Sequence, residues 1–493
     1  MCYYTNMRTA TLIINDEVNL KIAGLELDVR KKLVNTFKYD VPHARYLPAV
    51  RLGRWDGKVA YFQMGGSTYL NLLPEILPIL ENFNYDIDIQ DNRDYQTVFK
   101  FEPVDEDAYA DIMWPKTHPA VGTPIKLRDY QVEIINSFLE NPQCIQEIAT
   151  GAGKTIMTAS LSERVENYGR SIVIVPNKSL VTQTEADYAN MQLDVGVFYG
   201  DRKEFGHKHT ICTWQSLNVL LKNTKNQTVD ITIHEFLEDV VAVIVDEVHM
   251  AKADALKTLL TGVMSQIPLR WGLTGTIPKE PFEFQALHCS LGPVINQLSA
   301  SSLQEKGVLA NCHVNVVQLI DNAEFSNYQS ELKYLFEEKG RLDAIAGLVA
   351  EVNKTGNTLV LADRISAGTE LLNRLGEDAV FVSGATKAKD RQDEYDEVAT
   401  STGKIIVATY GVAAVGINLP RIFNLVLLEP GKSFVRVIQS IGRGIRKAED
   451  KDHVQIWDIT STCRFAKRHL TKRKHFYKEA NYPFSVEKLD WNG

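Results

Sequence analysis

Apolar and polar residues alternate along most of the chain in a pattern of short strands and amphipathic helices. Between about residues 125 and 300, short apolar runs are each followed by a stretch with helical spacing of its apolar positions. Continuous apolar strands that alternate with helices indicate a parallel sheet covered on both faces. The strands predicted here are Ile145–Ala149, Ser171–Val175, Thr210–Thr213, Val241–Val245 and Arg270–Leu273.

The same pattern restarts after about Ala300, which predicts a second domain of the same architecture. Two doubly wound domains in tandem create a cleft, and ligands bind at the carboxyl ends of such strands. The strands predicted in this half are His313–Gln318, Thr358–Leu361, Ala379–Val382, Ile405–Ala408, Leu425–Leu428 and Val454–Trp457.

The first hundred residues follow a different pattern, with predicted strands at Thr11–Ile14 and Val59–Phe62 and a helix over Leu25–Phe37. We therefore predict an α/β protein: two tandem doubly wound parallel-sheet domains and a small N-terminal α+β domain. The expected boundaries are residues 1–105, 106–300, 301–460 and a basic helical extension over 461–493.

Composition narrows the class of protein. The chain has 493 residues, a hydrophobic content of 44% and a net charge of −8, so it is not a basic nucleic-acid coat as a whole. Six scattered cysteines without a C-x-x-C pair argue against a zinc site or disulfide framework and favour a reducing cytosol. The most apolar run, Val240–Val245, is too short to cross a bilayer. We expect a cytoplasmic protein without a membrane partner, in the host cytoplasm if it is phage-encoded.

Local charge is distributed unevenly in the N-terminal part. Between Arg30 and Lys58 lie eight Lys or Arg residues and two acids, with Tyr39, Tyr46 and Trp55 among them. Cations neutralise phosphates and aromatic rings stack on bases, so Arg54 and Trp55 are candidate nucleic-acid contacts. A solvated cationic face over an aromatic core is an equal alternative.

Two further segments have a strong charge bias. Nine acids between Asp86 and Asp111, followed by several Pro and Gly residues, predict a linker. The segment Arg464–Lys478 carries seven Lys or Arg residues and no acid, which favours nucleic-acid contact through residues such as Lys472 and Arg473 over an ordinary solvated helix.

A phosphate-binding loop is predicted at QEIATGAGKT, residues 146–155. A strand, a glycine turn and a helix start would direct backbone N–H groups at anionic oxygens. Lys154 would reach the β- and γ-phosphates, and the Thr155 hydroxyl would bind Mg²⁺. The strict pattern lacks its first glycine, because Ile148 stands there. The loop residues expected to hold nucleotide are Thr150, Gly151, Ala152 and Gly153.

Carboxylates follow the apolar strand VVAVIV directly. Asp246 would hold Mg²⁺, and Glu247 would orient or deprotonate the attacking water. In QSIGRGIR, residues 439–446, Arg443 and Arg446 would bring cationic charge from the second domain to the γ-phosphate. Gln131 is either a helix N-terminus residue or, beside a nucleotide, the reader of adenine through its amide.

The order of these motifs resembles that of the superfamily-two DExH helicases. It runs LRDYQ, ATGAGKT, VPNKSLVTQ, TWQS, DEVH, TGT, ATYGVAAVGINLP and QSIGRGIR over roughly residues 125–447. RWDGK, residues 54–58, and the basic, aromatic tail are similar to a phage member of that family. The resemblance implies two RecA-like domains, ATP and Mg²⁺ as cofactors, and unwinding or branch migration of forked, four-way and R-loop DNA.

The resemblance also implies roles for single residues. Gln131 contacts adenine, Gln439 joins Arg443 and Arg446 at the γ-phosphate, and Thr274 and Thr276 link hydrolysis to movement. The nucleic-acid backbone is contacted by Lys178, Thr213, Gln215 and Thr409. Three positions depart from the family pattern: TGT stands for S-A-T, Ala149 stands for Pro, and Asn418 stands for Asp, which puts a ribose contact there in doubt.

We therefore expect an ATP-dependent DNA helicase or translocase with roles in recombination, repair and rescue of stalled forks. Its expected partners are branched, duplex and single-stranded DNA and RNA–DNA hybrids, with recombination or single-strand-binding proteins as candidate protein partners. Three alternatives stay open: an RNA helicase, the translocating subunit of a restriction system, and a nucleotide-gated DNA-binding scaffold without turnover.

Overall fold

A computed structural model describes residues 8–42, 44–93, 98–116, 120–228, 231–248, 253–383, 386, 388–410, 419, 421–431, 441 and 450–491. The chain divides into two compact units. The first contains residues 1–148 and 153–297, and the second contains residues 149–152 and 298–493.

The first unit begins with a four-stranded sheet in the order β5-β2-β1-β6, in which β1 is antiparallel to β2 and parallel to β6. Between β2 and β5 in sequence, the strands β3 and β4 form a separate two-stranded antiparallel ribbon. The elements are β1 (Arg8–Ile14), β2 (Asn19–Ala23), α1 (Leu27–Thr36), β3 (Lys38–Asp40), α2 (Pro48–Arg51), β4 (Lys58–Ala60), β5 (Ser67–Tyr69), α3 (Leu73–Asn82) and β6 (Tyr85–Asp91).

Alternating side chains of β1 and the apolar face of α1 form the core of this sheet. Leu12, Val29 and Leu33 are almost completely buried. The acidic segment after Asp86 is predicted to be a linker, and this is wrong for its first part. Residues 85–91 form β6, which pairs along all of β1, because only one side of an edge strand needs apolar residues.

A second, eight-stranded sheet makes up most of the first unit, in the order β10-β9-β11-β8-β12-β13-β7-β14. The pairs β11–β8, β12–β8, β12–β13 and β13–β7 are parallel. The elements are α4 (Asp129–Glu140), β7 (Gln143–Ile148), α5 (Lys154–Val165), β8 (Arg170–Val175), α6 (Lys178–Asn190), β9 (Val195–Tyr199), β10 (Arg202–Lys203), β11 (His209–Thr213), α7 (Trp214–Lys225), α8 (Ile233–Phe236), β12 (Val240–Asp246), α9 (Ala253–Thr261), β13 (Leu269–Thr274), α10 (Pro281–Leu291) and β14 (Val294–Leu298).

Helix α10 joins the two sheets of the first unit. Its residues Ala286 and Cys289 belong to the apolar core of the N-terminal sheet. The Tyr61 hydroxyl donates to the Phe282 carbonyl at 2.6 Å, and the Lys257 ammonium lies 4.3 Å from the centre of the Tyr61 ring. The N-terminal sheet is thus packed on two helices of the larger sheet.

The second unit contains a seven-stranded sheet in the order β17-β18-β16-β19-β20-β15-β21, with every adjacent pair parallel. Its apolar core lies between these strands and the helices that follow them. The elements are α11 (Ala300–Glu305), β15 (Asn311–Leu319), α12 (Tyr328–Glu337), α13 (Lys339–Asn353), β16 (Thr358–Ala362), α14 (Ile365–Leu375), β17 (Ala379–Val382), α15 (Ala388–Thr400), β18 (Ile405–Thr409), β19 (Asn424–Leu428), β20 (His453–Ser461), α16 (Arg464–Glu479) and β21 (Phe484–Leu489).

The predicted fold class is confirmed: both large sheets are built mainly from parallel strands that alternate with helices, and in the first sheet the short edge strand β10 is antiparallel to β9. The segment 461–493 differs from the prediction of a helical extension, because β21 follows α16 and pairs with β15 as the edge strand of the sheet. The four-part division of the chain remains our working proposal. Of the helices in the described residues, none combines the length and the apolar character of a membrane span.

Candidate active site

The phosphate loop has the predicted strand, turn and helix. Strand β7 ends at Ile148, and α5 begins at Lys154. Gly151 and Gly153 have φ angles of +92° and +83°, in the left-handed region that side chains other than glycine disfavour. At Gly153 a Cβ atom would also lie 2.6 Å from Nε2 of Gln131. The glycine therefore lets the loop approach the Gln131 amide closely.

Lys154 and Glu247 form an ion pair at the start of α5. The ammonium Nζ lies 2.9 Å from the Glu247 Oε1, and the two side chains are only 9% and 10% exposed. Nζ also donates to the Ile148 carbonyl at 3.4 Å. A buried ammonium next to the positive end of a helix is strongly attractive to anionic oxygens.

The two carboxylates follow β12, as the sequence predicts. Asp246 is the last residue of the strand, and its Oδ1 accepts the Glu247 N–H at 2.9 Å. Glu247 itself has a φ of +52°, which is unusual for a residue with a side chain and is typical of functional sites. This backbone bend turns the Glu247 carboxylate towards Lys154.

The TGT turn after β13 contacts the same carboxylate. The Gly275 N–H donates to the Glu247 Oε2 at 3.4 Å. Within the turn, the Thr274 hydroxyl donates to the Thr276 carbonyl at 2.7 Å and accepts from the Thr276 N–H at 3.3 Å. The two threonines therefore stabilise a turn whose backbone donates a hydrogen bond to Glu247.

Gln131 caps α4, which is one of the two roles that the sequence left open for it, and it also borders the loop; its contact with adenine stays a prediction. Its Oε1 accepts the Arg128 N–H at 2.9 Å, which completes a capping box at the start of α4. Its Nε2 lies 2.6 Å from the position that a Cβ atom at residue 153 would occupy. The helix cap thus holds the Gln131 amide beside the loop, in a position to form hydrogen bonds with a base.

The donor set suits a magnesium–nucleotide complex. Mg²⁺ is usually bound by one or two protein oxygens together with substrate phosphates and water. The half-buried Thr155 hydroxyl and the Asp246 carboxylate are such oxygens, and they follow strands β7 and β12, whose carboxyl ends lie at one edge of the sheet. When bound there, the metal would polarise the phosphates.

Glu147 is a member of this site that the sequence analysis did not single out. Its Oε1 accepts the Ile277 N–H at 3.2 Å, and its strand neighbour in β13 is Thr274. Burial raises the pKa of Glu147, partly offset by the Ile277 N–H and by Lys279. An acid in the predicted buried strand, seven residues before Lys154, was the available signal.

Comparisons with known proteins agree with this geometry. Residues 124–279 match the family described as "Type III restriction enzyme, res subunit", and residues 340–448 match "Helicase conserved C-terminal domain". The first segment contains the phosphate loop, both carboxylates and the TGT turn, and the second contains QSIGRGIR. The chain belongs to the superfamily-two helicases.

Two named relatives and one solved structure show how far this similarity extends. The chain is 25% identical over 474 residues to the "ATP-dependent DNA helicase uvsW" of Enterobacteria phage T4, covering 92% of this chain and 90% of that protein. It is 24% identical to the "DNA 3'-5' helicase XPB" of Kineococcus radiotolerans, covering 74% of this chain and 65% of the relative. Its fold is similar to that of S. cerevisiae Dbp5 bound to RNA and ADP BeF3, with a TM-score of 0.53, 13% identity, and coverage of 75% and 91%.

In a superfamily-two helicase, Lys178, Thr213 and Gln215 would contact the nucleic-acid backbone, and the structure brings them to one edge of the first unit. They follow the adjacent parallel strands β8 and β11. Lys178 and Gln215 are exposed, whereas Thr213 is buried and caps α7 by accepting the Ser216 N–H at 3.3 Å. Thr409 ends β18 in the second unit and is half-buried.

Arg54 and Trp55 lie between α2 and β4 in the N-terminal part of the first unit. Arg54 is exposed, and the Trp55 indole donates to the Lys58 carbonyl at 2.8 Å. Two nearby apolar side chains that the sequence analysis missed, Leu47 and Leu52, are 47% and 63% exposed. Leucines in a segment of this kind are more typical of core positions, but these two face solvent.

One predicted nucleic-acid contact, Arg473, is corrected by the structure. Its side chain is 1% exposed, and its guanidinium donates twice to the Asp458 carboxylate at 2.8 and 2.9 Å. It also donates to the Gly431 carbonyl at 2.7 Å. Arg473 therefore stabilises the second unit from within, while its neighbour Lys472 is exposed.

The remaining predicted residues lie outside the described part of the chain. These are Gln439, Arg443 and Arg446 of QSIGRGIR, together with His249 and Asn418.

Proposed function

We propose that this superfamily-two helicase is an ATP-driven motor that moves on DNA and remodels branched DNA. The observation that carries the proposal is the nearly buried pair between Lys154 and Glu247, at the start of a helix and beside a left-handed glycine loop. A structural ion pair would gain nothing from that loop, whereas a phosphate site requires it.

The residues around this pair divide the work. Lys154 neutralises the phosphate oxygens, and Glu247 orients water or accepts its proton. The hydroxyl of Thr155 and the carboxylate of Asp246 would hold the metal. Because the Gly275 N–H bonds to Glu247, a change at that carboxylate reaches the TGT turn directly. We infer that this contact couples hydrolysis to movement.

The finer description of the substrate rests on family resemblance and on charge. The T4 relative carries the name of an ATP-dependent DNA helicase. Arg54, Trp55 and the exposed Leu47 and Leu52 combine cations with apolar side chains, which suits a surface that grips a backbone and stacks on bases. We propose forked, four-way and R-loop DNA as substrates, in recombination, repair and fork rescue in a host cytoplasm.

Replacement of Lys154 tests the nucleotide site. Lys154→Ala should lower DNA-stimulated ATP hydrolysis by at least about 100-fold, because one preorganised charge at the phosphates is lost. DNA binding without nucleotide should stay nearly unchanged. Steady-state phosphate release and fluorescence anisotropy measure the two properties. Lys354→Ala is a matched control, since Lys354 is exposed and its one salt bridge within the described residues is to Glu351, three residues away.

An ATPase rate for Lys154→Ala equal to that of the control would refute the site. Wild-type protein that binds DNA but shows no turnover would instead support the nucleotide-gated scaffold.

A substrate panel tests the motor's specificity. ATPase stimulation and strand displacement are measured on synthetic forks, four-way junctions and R-loops, with linear duplex, single-stranded DNA and RNA as comparisons. We expect the branched DNAs to give the highest rates. Stronger stimulation by RNA would favour an RNA helicase. Translocation on linear duplex without displacement would favour a restriction-type translocase, which the family name of the first matched segment also suggests.

A further inference from the structure

A cavity of about 810 Å³ lies in the second unit, at the carboxyl ends of β15 and β20. It is lined by the segment Asp321–Phe325 after β15, by Thr462 and Cys463 after β20, and by the first two turns of α16. The side chains that α16 contributes are Arg464, Lys467, Arg468 and Thr471. The candidate nucleotide site uses none of the residues that line this cavity.

The two faces of α16 have opposite characters. Ala466, Leu470, Arg473 and Tyr477 recur at helical spacing and are buried against the sheet. The cavity residues recur at the positions i, i+3, i+4 and i+7 and are exposed. Over those seven residues the helix rises by about 10 Å. The sequence therefore places a short row of cations along the cavity wall.

These cations are positioned by an aromatic ring and remain available to a ligand. The Arg464 and Arg468 guanidinium groups lie 5.6 and 6.0 Å from the centre of the Phe465 ring. Within the described residues, no carboxylate forms a salt bridge with Arg464, Lys467 or Arg468. The ring restricts both arginines, which lowers the entropic cost of binding an anion.

The acids near the cavity are mostly neutralised. Asp321 lies 3.2 Å from the Arg341 guanidinium and is fully buried. The buried Glu331 carboxylate accepts the N–H groups of Phe465 and Ala466 at 2.9 and 2.7 Å, so it caps α16. The helix terminus is therefore already satisfied, and attraction for an anion comes from the side chains. Glu324 is the exposed acid of the lining.

We propose that this cavity, the α16 cavity, binds the phosphodiester backbone of a single nucleic-acid strand. The inference rests on the proposed motor function. Thr409 ends β18 at the same carboxyl edge of this sheet, three strands from β20, or about 14 Å at the usual spacing. A concave site of this volume encloses part of one strand, whereas a duplex would lie across its mouth. A row of cations on a groove is typical of single-strand binding.

The test compares two double variants of the full-length protein on the same helix. Lys467→Gln/Arg468→Gln removes two charges from the cavity, and Lys474→Gln/Lys478→Gln removes two charges beyond it. Both keep β21, which a deletion of residues 464–493 would remove. Binding of a 20-nucleotide oligothymidylate is measured by anisotropy at several salt concentrations.

The cavity variant should bind about tenfold more weakly than the wild type. Each phosphate of a single strand that a cation neutralises adds about 0.7 to the slope of log Kobs against log salt, so two missing cations should lower that slope by about 1.4. The control should keep the wild-type slope. Crosslinking of a 4-thiothymidine oligonucleotide should label the peptide around residues 462–471 in the wild type and not in the cavity variant.

Equal slopes for the two variants, or crosslinks confined to other peptides, would overturn the inference. A larger loss for a 20-base-pair duplex, or displacement of the oligonucleotide by an oligoglutamate peptide at equal concentration, would assign the site to a different ligand and also overturn it. Its failure is separable from that of the motor. If wild-type ATPase is still stimulated by DNA while the variants agree, only the α16 cavity is refuted; without stimulation, both proposals fail.

Discussion

Two glutamates occupy the same position in the two large sheets but differ in how completely their ion pairs are enclosed. Glu247 follows the last residue of β12, and Glu429 follows the last residue of β19. Their φ angles are +52° and +42°, so both backbones bend into the left-handed region directly after a buried strand. Each carboxylate is then paired with a cation, Lys154 or Arg341.

The partners of each pair make the difference. Arg341 is fully buried, and its guanidinium donates to Asp321, Glu429 and the Leu335 carbonyl. Asp321 in turn accepts from the Ser461 and Tyr334 hydroxyls and the Trp491 indole. This network, the Arg341 network, is closed by fixed side chains, because donors surround each of its acids.

The Lys154–Glu247 pair is less enclosed. The lysine is an ammonium on a flexible stem at the edge of a glycine loop, and one of the donors to Glu247, the Gly275 N–H, is at 3.4 Å. An ammonium exchanges partners more easily than a planar guanidinium that is held by two carboxylates. The same strained position thus serves stability where the partners are saturated, and chemistry where a ligand is able to enter.

Removal of Arg341 should have the largest effect on stability. Arg341→Ala leaves Asp321 and Glu429 buried without their cation, which should lower the free energy of unfolding by about 3–5 kcal/mol. Urea unfolding followed by fluorescence and circular dichroism measures it. The matched control is Arg374→Ala: Arg374 also pairs with two acids, Asp343 and Glu370, but both are more than half exposed.

The control should lose at most about 1 kcal/mol, as exposed pairs do. If the two arginine variants are destabilised equally, the contrast between closed and open ion pairs has no energetic basis.

Asp187 is a half-buried acid that forms no salt bridge within the described residues, and it should behave in the opposite way. Burial raises the pKa of Asp187 in α6 to about 6, from 3.8. Since its neutral form is favoured in the folded state, its contribution is present below pH 4 and is lost as the pH rises through about 6. Asp187→Asn should therefore raise the free energy of unfolding at pH 7 by about 2–3 kcal/mol, at about 1.4 kcal/mol per pKa unit.

The pH series separates this effect from a change in packing. The gain of Asp187→Asn should disappear near pH 4, whereas a gain that comes from packing should persist there. Glu429→Gln should instead destabilise the protein, because Arg341 loses a charged acceptor. A gain for Glu429→Gln at pH 7 would mean that the Arg341 network does not compensate its burial.

Sequence alone predicts the interior of this protein better than its edges and its pairs. The apolar central strands are recognisable because burial on both faces leaves a continuous run. The edge strands β14 and β21, VINQL and FSVEKL, carry half-exposed polar residues and give no such run. Glu429 follows an apolar strand just as Glu247 does, but its partner Arg341 lies 88 residues away. The sequence pattern around Glu429 therefore could not predict its structural role.

For Arg473 the helical spacing of the sequence indicated a buried position, but the local charge was given more weight. Its charge suggested nucleic acid, yet its spacing from Ala466, Leu470 and Tyr477 places it on the buried stripe of α16. Helical period decides which face a residue occupies, and local charge density does not. The strand, turn and helix of the phosphate loop were predicted correctly for the complementary reason. They are contiguous in sequence and need no distant partner.

The smallest expected effect concerns Gly153, which directly precedes Lys154 of the Lys154–Glu247 pair. Gly153 and Gly206 both have a φ of +83°, so Ala at either position should cost about 1–2 kcal/mol of backbone strain. Only at Gly153 does the new Cβ meet another group, the Gln131 amide at 2.6 Å, whereas nothing lies within 4 Å at Gly206. Because Gln131 must shift, Gly153→Ala should raise the KM for ATP about tenfold and leave kcat within about threefold, given roughly 1.4 kcal/mol of lost binding. Gly206→Ala should leave both constants unchanged. An equal KM for the two variants would show that Gln131 does not read the nucleotide, and that the loop serves the Lys154–Glu247 pair alone.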